Sequence, residues 1–275
     1  MSIHIEELLN LHSNKTCHVV GHGPSLQPYL EKLENLNKLE NIIFSINDID
    51  IFTNLYPDYW LTSSPDYSVN KLSNRINKYE NTTFIYSDIV DTSDAKSLLK
   101  VKYYTFDSFH FNSSPNIFFV PKFRQNAIGC GQGPEGWFTR DCCNRIIKNR
   151  LTIQEYLQKI SGYKYHYSTC DTNILHALSF SIILGCRDIY LYGIDLNYKI
   201  GYVNGHLTDA NGATHGDSFD PWMDRLQSDF YIINESAKLL GIKIHYLGFN
   251  EYMKKIFIDG ISPNKVYESE CKNYD

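Results

Sequence analysis

Val19-Val20-Gly21-His22-Gly23-Pro24-Ser25-Leu26 joins the end of an apolar run to the start of a helical pattern. Upstream, Thr16 to Val20 reads as a short buried strand. Downstream, Leu26, Leu30, Leu33 and Leu36 recur at helical spacing. Two glycines let the chain turn sharply and lie close to another backbone or to a ligand. Ser25 is expected to cap the helix, whose first N–H groups would then favour an anion such as phosphate. No Gly-Lys-Ser/Thr follows, so this is not a Walker loop. Spacing alone supports a phosphate-facing loop and a plain tight turn equally.

The same unit recurs along the chain. Asn41 to Ile46 predicts a second buried strand ending at Asn47-Asp48, and Tyr59 to Thr62 a third ending at Ser63-Ser64-Pro65-Asp66. Thr83–Tyr86 and Asn116–Val120 predict two more. Thr172 to Leu184 reads as a helix capped by Gly185, followed by a strand over Asp188–Tyr192 and the loop Gly193-Ile194-Asp195. A polar lid over 196–221 leads to a helix over Trp222–Leu240, ended by Gly241, and a last strand over Ile242–Leu247. Strands alternating with helices predict a Rossmann-like α/β domain over residues 1–260, with a mostly parallel sheet covered on both faces. Residues 261–275 read as a polar tail.

Composition narrows the function. Hydrophobic residues make up 43% of the 275, enough for a sizeable core. A net charge of −5 argues against a dedicated nucleic-acid binder. No apolar run approaches the roughly 18 residues of a membrane span. The acidic start Met1-Ser2-Ile3-His4-Ile5-Glu6-Glu7 lacks the basic region of a secretory signal, so a cytoplasmic protein is expected. Cys17, Cys170 and Cys186 read as small buried residues. Cys130 and the adjacent pair Cys142-Cys143 fit zinc-knuckle spacing poorly, and no metal site is assigned. Gly129 to Gly136 is glycine-rich, but no strand leads into it and Pro134 interrupts a helix start, so it reads as a surface loop.

In a parallel sheet the polar strand ends share one edge, where ligands bind in α/β folds. These ends supply Gly21, His22, Gly23, Pro24 and Ser25, then Asn47, Ser64 and Asp66, then Gly193, Asp195 and Asn197. Thr172 and Asn173 open a helix at the same edge, although capping alone explains their residue types. The lid carries Tyr198, Tyr202, His206 and His215. Histidine suits proton transfer near neutral pH, but a lone loop histidine is more often simply solvated.

Gly21-His22-Gly23-Pro24-Ser25-Leu26, Asn47 and the block Leu184-Gly185…Ile189-Tyr190-Leu191-Tyr192-Gly193-Ile194-Asp195 resemble the bacterial sialyltransferases of glycosyltransferase family 42. They also resemble the DUF115 group of 6-hydroxymethylpterin diphosphokinase-like proteins, to which Tyr56-Pro57-Asp58-Tyr59 and the ending Asp195-Leu196-Asn197-Tyr198 look closer. The first resemblance implies a CMP-linked donor sugar held at the strand ends and a glycan acceptor, with no metal required. It places Asn47, Ser64, Thr172 and Asn173 around the nucleotide, and puts His22 and Cys170 where that family has Asn and Arg. It further implies Tyr198 and Tyr202 beside the leaving phosphate and His215, with His206 second, as the base. The second resemblance implies pyrophosphoryl transfer from ATP with Mg²⁺, held by carboxylates such as Asp66 or Asp195. A nucleotide-binding protein without catalysis is the third reading. All three leave room for a homo-oligomer.

Overall fold

The computed structural model describes residues 9–47, 49–62, 79, 81–87, 103–106, 173–197, 203–205 and 220–263. The strands are β1 (Thr16–Val20), β2 (Asn41–Ile46), β3 (Tyr59–Thr62), β4 (Thr83–Ser87), β5 (Tyr103–Phe106), β6 (Asp188–Tyr192) and β7 (Lys243–Tyr246). They form one seven-stranded sheet in the order β5-β4-β3-β2-β1-β6-β7, and every pairing is parallel. The helices are α1 (Leu30–Glu34), α2 (Ile49–Phe52), α3 (Asn173–Ile183), α4 (Asp220–Leu239) and α5 (Glu251–Phe257). This is the doubly wound α/β architecture that the alternating pattern predicts.

Two apolar layers sandwich the sheet. On one side Cys17, Val19, Ile42, Phe44 and Ile46 pack with the buried residues of α3 and with Phe230, Ile233 and Met253 from α4 and α5. On the other, Val20, Ile43 and Trp60 meet Leu26, Leu33, Ile49 and Phe52. The alternation within β1 and β2 follows from the two-residue period of a strand. Helix α3 is buried at every position from Ile174 to Ile183. Its two serines satisfy their hydroxyls on the helix itself, Ser179 Oγ donating to Leu175 O and Ser181 Oγ to Ala177 O, each at 2.7 Å.

Several expectations change. The helical pattern after the glycine loop is split into a 3-10 segment, Pro24–Tyr29, and the short helix α1. Ser25 does not cap it: Gly23 is the N-cap, Pro24 stands in the first turn, and no side chain closes the end. Proline's fixed φ suits the first helical position, and this moves the start ahead of Ser25. Strand β5 and helix α5 were not among the expected elements. The expected strand over 116–120 and the glycine-rich piece 129–136 lie outside the described residues, as does the tail from 264 onward.

Glycines do end the helices as the pattern predicts. Gly185 and Gly241 adopt φ of +77° and +72° after α3 and α4.

Candidate functional site

Strand β1 leads to β2 on one side, while its other neighbour, β6, arrives much later in the chain. The strand order reverses between β1 and β6. In open α/β sheets the crevice beyond the strand ends at such a reversal is where ligands bind. The glycine loop 21–25 and the loop 193–197 form its two lips.

These lips are interlocked. Gly21 N–H donates to Tyr192 O at 2.8 Å, and Gly23 N–H to Gly193 O at 2.9 Å. A Cβ on Gly21 would stand 2.6 Å from Gly193 O, and one on Gly193, whose φ is +63°, would stand 2.5 Å from Gly21 O. The glycines are therefore required by backbone lying against backbone. Ser25 N–H donates to Asp195 Oδ2 at 3.0 Å, and Leu26 N–H to Gly23 O at 3.0 Å. Three amides of the loop, and that of Leu26 just after it, are thus donated within the protein, and Pro24 has none. Of the two readings open at the start, the tight turn accounts for the glycines.

Asp195 is 4% exposed, and both carboxylate oxygens accept backbone N–H groups, from Ser25 and, at 2.9 Å, from Phe249. Its carbonyl accepts from Asn250 Nδ2 at 3.3 Å. Beside it, Tyr246 O–H donates to Ile194 O at 2.7 Å and accepts from Asn250 N–H at 2.9 Å. Burial pushes the Tyr246 phenol well above the ordinary tyrosine range, so it stays a donor.

Asn47 and Asn173 are brought together. Asn47, at a φ of +53° just past β2, accepts a hydrogen bond on Oδ1 from Asn173 Nδ2. Its carbonyl accepts Trp60 Nε1–H at 2.6 Å. Asn173 opens α3, which has no acidic residue in its first turn. The N-terminus of this 11-residue helix, placed at the strand-end edge by the Asn173–Asn47 bond, carries the positive end of its dipole. In the β1/β2 register Val20 stands opposite Ser45, so Asn47 lies two residues beyond the partner of the last residue of β1.

His22 is half-buried, its ring stacked on Phe52 at 5.2 Å and 17°. Its carbonyl accepts Val203 N–H at 2.8 Å. Next along, Asn204 donates its N–H to Gln27 Oε1 at 2.8 Å and its Nδ2–H to Phe52 O at 2.6 Å. Residues 203–205 of the expected lid are thus tied to the glycine loop. A cleft of about 410 Å³ opens beside them, bordered by Leu30, Glu34, Asp50, Asn54 and Asn204. With two carboxylates and no basic side chain on its described lining, it does not suit phosphate.

Gly21, His22, Gly23, Pro24, Ser25, Asn47, Asn173, Gly193 and Asp195 therefore gather at one sheet edge, with Asn197 exposed just beyond. Ser64, Asp66, Thr172, Tyr198, Tyr202, His206 and His215 lie outside the described residues, as do Cys130, Cys142, Cys143 and Cys170. Among the described residues no group of three metal-ligating side chains occurs, and no helix is long and apolar enough to cross a membrane. The turn 247–250 was missed as part of this edge. Its sequence signal is Asn250, a cap residue placed just after a strand.

The architecture is that of a Rossmann-like α/β protein with a strand-end crevice. Solved structures with a similar chain course include the sialyltransferase CstII from Campylobacter jejuni in complex with the substrate analogue CMP-3FNeuAc. That structure is 16% identical, with a TM-score of 0.41, over 85% of this chain and 80% of its own. Another is CST-II in complex with trisaccharide acceptor and CMP, 15% identical with a TM-score of 0.45, over 92% of this chain and 89% of its own. The monofunctional alpha-2,3-sialyltransferase Cst-I from Campylobacter jejuni is 13% identical with a TM-score of 0.44, over 94% and 86%. No model of a known protein family matches the sequence, and no curated protein matches it.

Proposed function

We propose that this chain is a glycosyltransferase using a nucleotide-activated sugar, with a CMP-linked sialic-acid-like donor, in surface-glycan assembly. The observation that carries the reading is the crevice at the β1/β6 reversal, with the Asn47–Asn173 pair at the N-terminus of α3 beside it. The amide side chains offer uncharged hydrogen-bonding groups suited to a base or ribose, and the helix end suits a phosphate. The donor class itself rests on the motifs Gly21–Leu26, Asn47 and Ile189–Asp195. Transfer from such a donor needs a base for the acceptor hydroxyl, the role assigned to His215, with His206 as second choice. Tyr198 and Tyr202 would donate to the departing phosphate.

The Mg²⁺-dependent pyrophosphoryl reading gives Asp195 a metal to hold. Its buried carboxylate already accepts two backbone N–H groups, which leaves Asp66 to carry that role. The glycosyltransferase reading asks nothing of the Asp195 carboxylate at the ligand, and is preferred for that reason.

Thermal unfolding with CMP, CTP, UDP, GDP and ATP, each with and without Mg²⁺, tests the choice. A nucleotide at about 100 times its Kd stabilises by roughly 2.7 kcal/mol. Cytidine nucleotides should raise Tm without metal. A rise with ATP and Mg²⁺ alone favours the pyrophosphoryl reading, and no rise with any nucleotide ends both. Once a donor is found, His215→Ala should abolish transfer while the donor Kd stays nearly unchanged. Undiminished turnover in that variant removes His215 from the mechanism.

A further inference from the structure

The turn after β7 belongs to none of the segments expected at the site, yet it is bonded directly to one lip of the crevice. Phe249 N–H and Ser25 N–H share the Asp195 carboxylate, one on each oxygen, at 2.9 and 3.0 Å. Ser25 and Asp195 are 170 residues apart in sequence, and Ser25 is fully buried. Without this acceptor the Ser25 amide would be a buried unpaired donor, and the loop would shift to find another partner. Asn250 anchors the other side of the same residue. Its Oδ1 accepts Tyr252 N–H and Met253 N–H at 3.0 and 3.2 Å, capping α5, while its Nδ2 donates to Asp195 O. A Cβ on Gly23 would run into Asp195 Oδ2, so the glycine loop and the carboxylate have no slack between them.

The geometry points to Asp195 as a positioning residue that sets where the glycine loop stands, with Asn250 transmitting the position of the β7–α5 turn to it. This rests on the crevice being a nucleotide site and deepens that reading: affinity for the nucleotide depends on a turn outside the loop that faces it. Asn250→Asp isolates the link. The carboxylate still accepts both cap bonds, but an oxygen replaces the Nδ2 donor and faces the Asp195 carbonyl. Asp195→Asn leaves one acceptor for two donors.

Two readouts are taken on the full chain: the Ser25, Phe249, Tyr252 and Met253 amide resonances by ¹H–¹⁵N NMR, and the CMP Kd by calorimetry. In Asn250→Asp the Ser25 resonance should move although Asn250 does not touch Ser25, while the α5 cap amides stay protected from exchange. CMP binding should weaken about threefold in that variant and about tenfold in Asp195→Asn. An unmoved Ser25 resonance in Asn250→Asp overturns the link, and so does an unchanged CMP Kd in both variants. If Asp195→Asn does not fold, Asn250→Asp carries the test alone. If the natural chain binds no nucleotide, the functional reading falls separately and the Ser25 resonance still decides the link.

Discussion

Gly193 and Gly241 share a left-handed backbone, at φ of +63° and +72°, but not their surroundings. A Cβ at Gly241 meets nothing within 4 Å, whereas one at Gly193 would stand 2.5 Å from Gly21 O and 3.1 Å from Gly23 N. Alanine at Gly241 therefore carries only the cost of the conformation, about 1–2 kcal/mol. Alanine at Gly193 carries that cost and also forces the two lips apart, for a total of roughly 3 kcal/mol or more. At about 2–4 °C per kcal/mol for a chain of this size, Gly193→Ala should show much the larger fall in Tm. Equal falls would mean that the lips are not in contact. The glycines were legible as punctuation in the sequence, but the reason for them was not. That Gly21 faces Gly193 depends on β1 and β6 being neighbours, which no local pattern records. The role of Asp195 was hidden in the same way, since its two donors, Ser25 and Phe249, come from distant segments. At Ser25 the reason is local: Pro24 is the stronger signal for a first helical position, and it sets the helix start at Gly23.

A ladder of rings runs across β1, β6 and β7. His18, Tyr190 and His245 are register partners. Their rings stack at 5.6 Å between His18 and Tyr190 and at 4.3 Å between Tyr190 and His245. Asn41 Nδ2 donates to Asn37 O, which turns Oδ1 toward His18 Nε2 at 2.9 Å; His18 Nδ1 meets the Tyr192 hydroxyl at 3.1 Å. A neutral ring donating from Nε2 and accepting on Nδ1 satisfies both bonds. Burial lowers the His18 pKa, with Lys32 and Lys38 adding to the effect and the Asn41 bond opposing it; His12 is lowered by burial as well. The folded chain thus binds fewer protons than the unfolded one just below the ordinary histidine value of about 6.5. Stability is fully present above that value and is lost as pH falls through the lowered pKa. Tm should drop as pH falls below about 6.5, and His18→Phe, although less stable at neutral pH, should show a shallower drop. An identical slope would remove His18 as the source. At this scale the sequence was largely readable, because buried strands such as Asn41–Ile46 and the apolar helix Asn173–Ile183 announce themselves by composition. Strand β5 has four residues and α5 seven, too few for a period to stand out.

At the scale of the molecule, the parallel sheet follows from the alternation of strands and helices, but its order does not. Only the pairing shows that β1 is an inner strand, with β2 on one flank and β6 on the other. The strand-end edge was expected from the polar residues after each strand, and its described members do meet there. That inner position of β1 also bears on how the protein is made. During synthesis β1 leaves the ribosome well before β6, since Tyr192 follows His18 by 174 residues. At about 5–20 residues per second, that interval is roughly 10–35 s. Throughout it, the flank of β1 that β6 will occupy offers unpaired backbone to any neighbouring nascent chain. The crevice therefore exists only once β6 has taken its place beside β1.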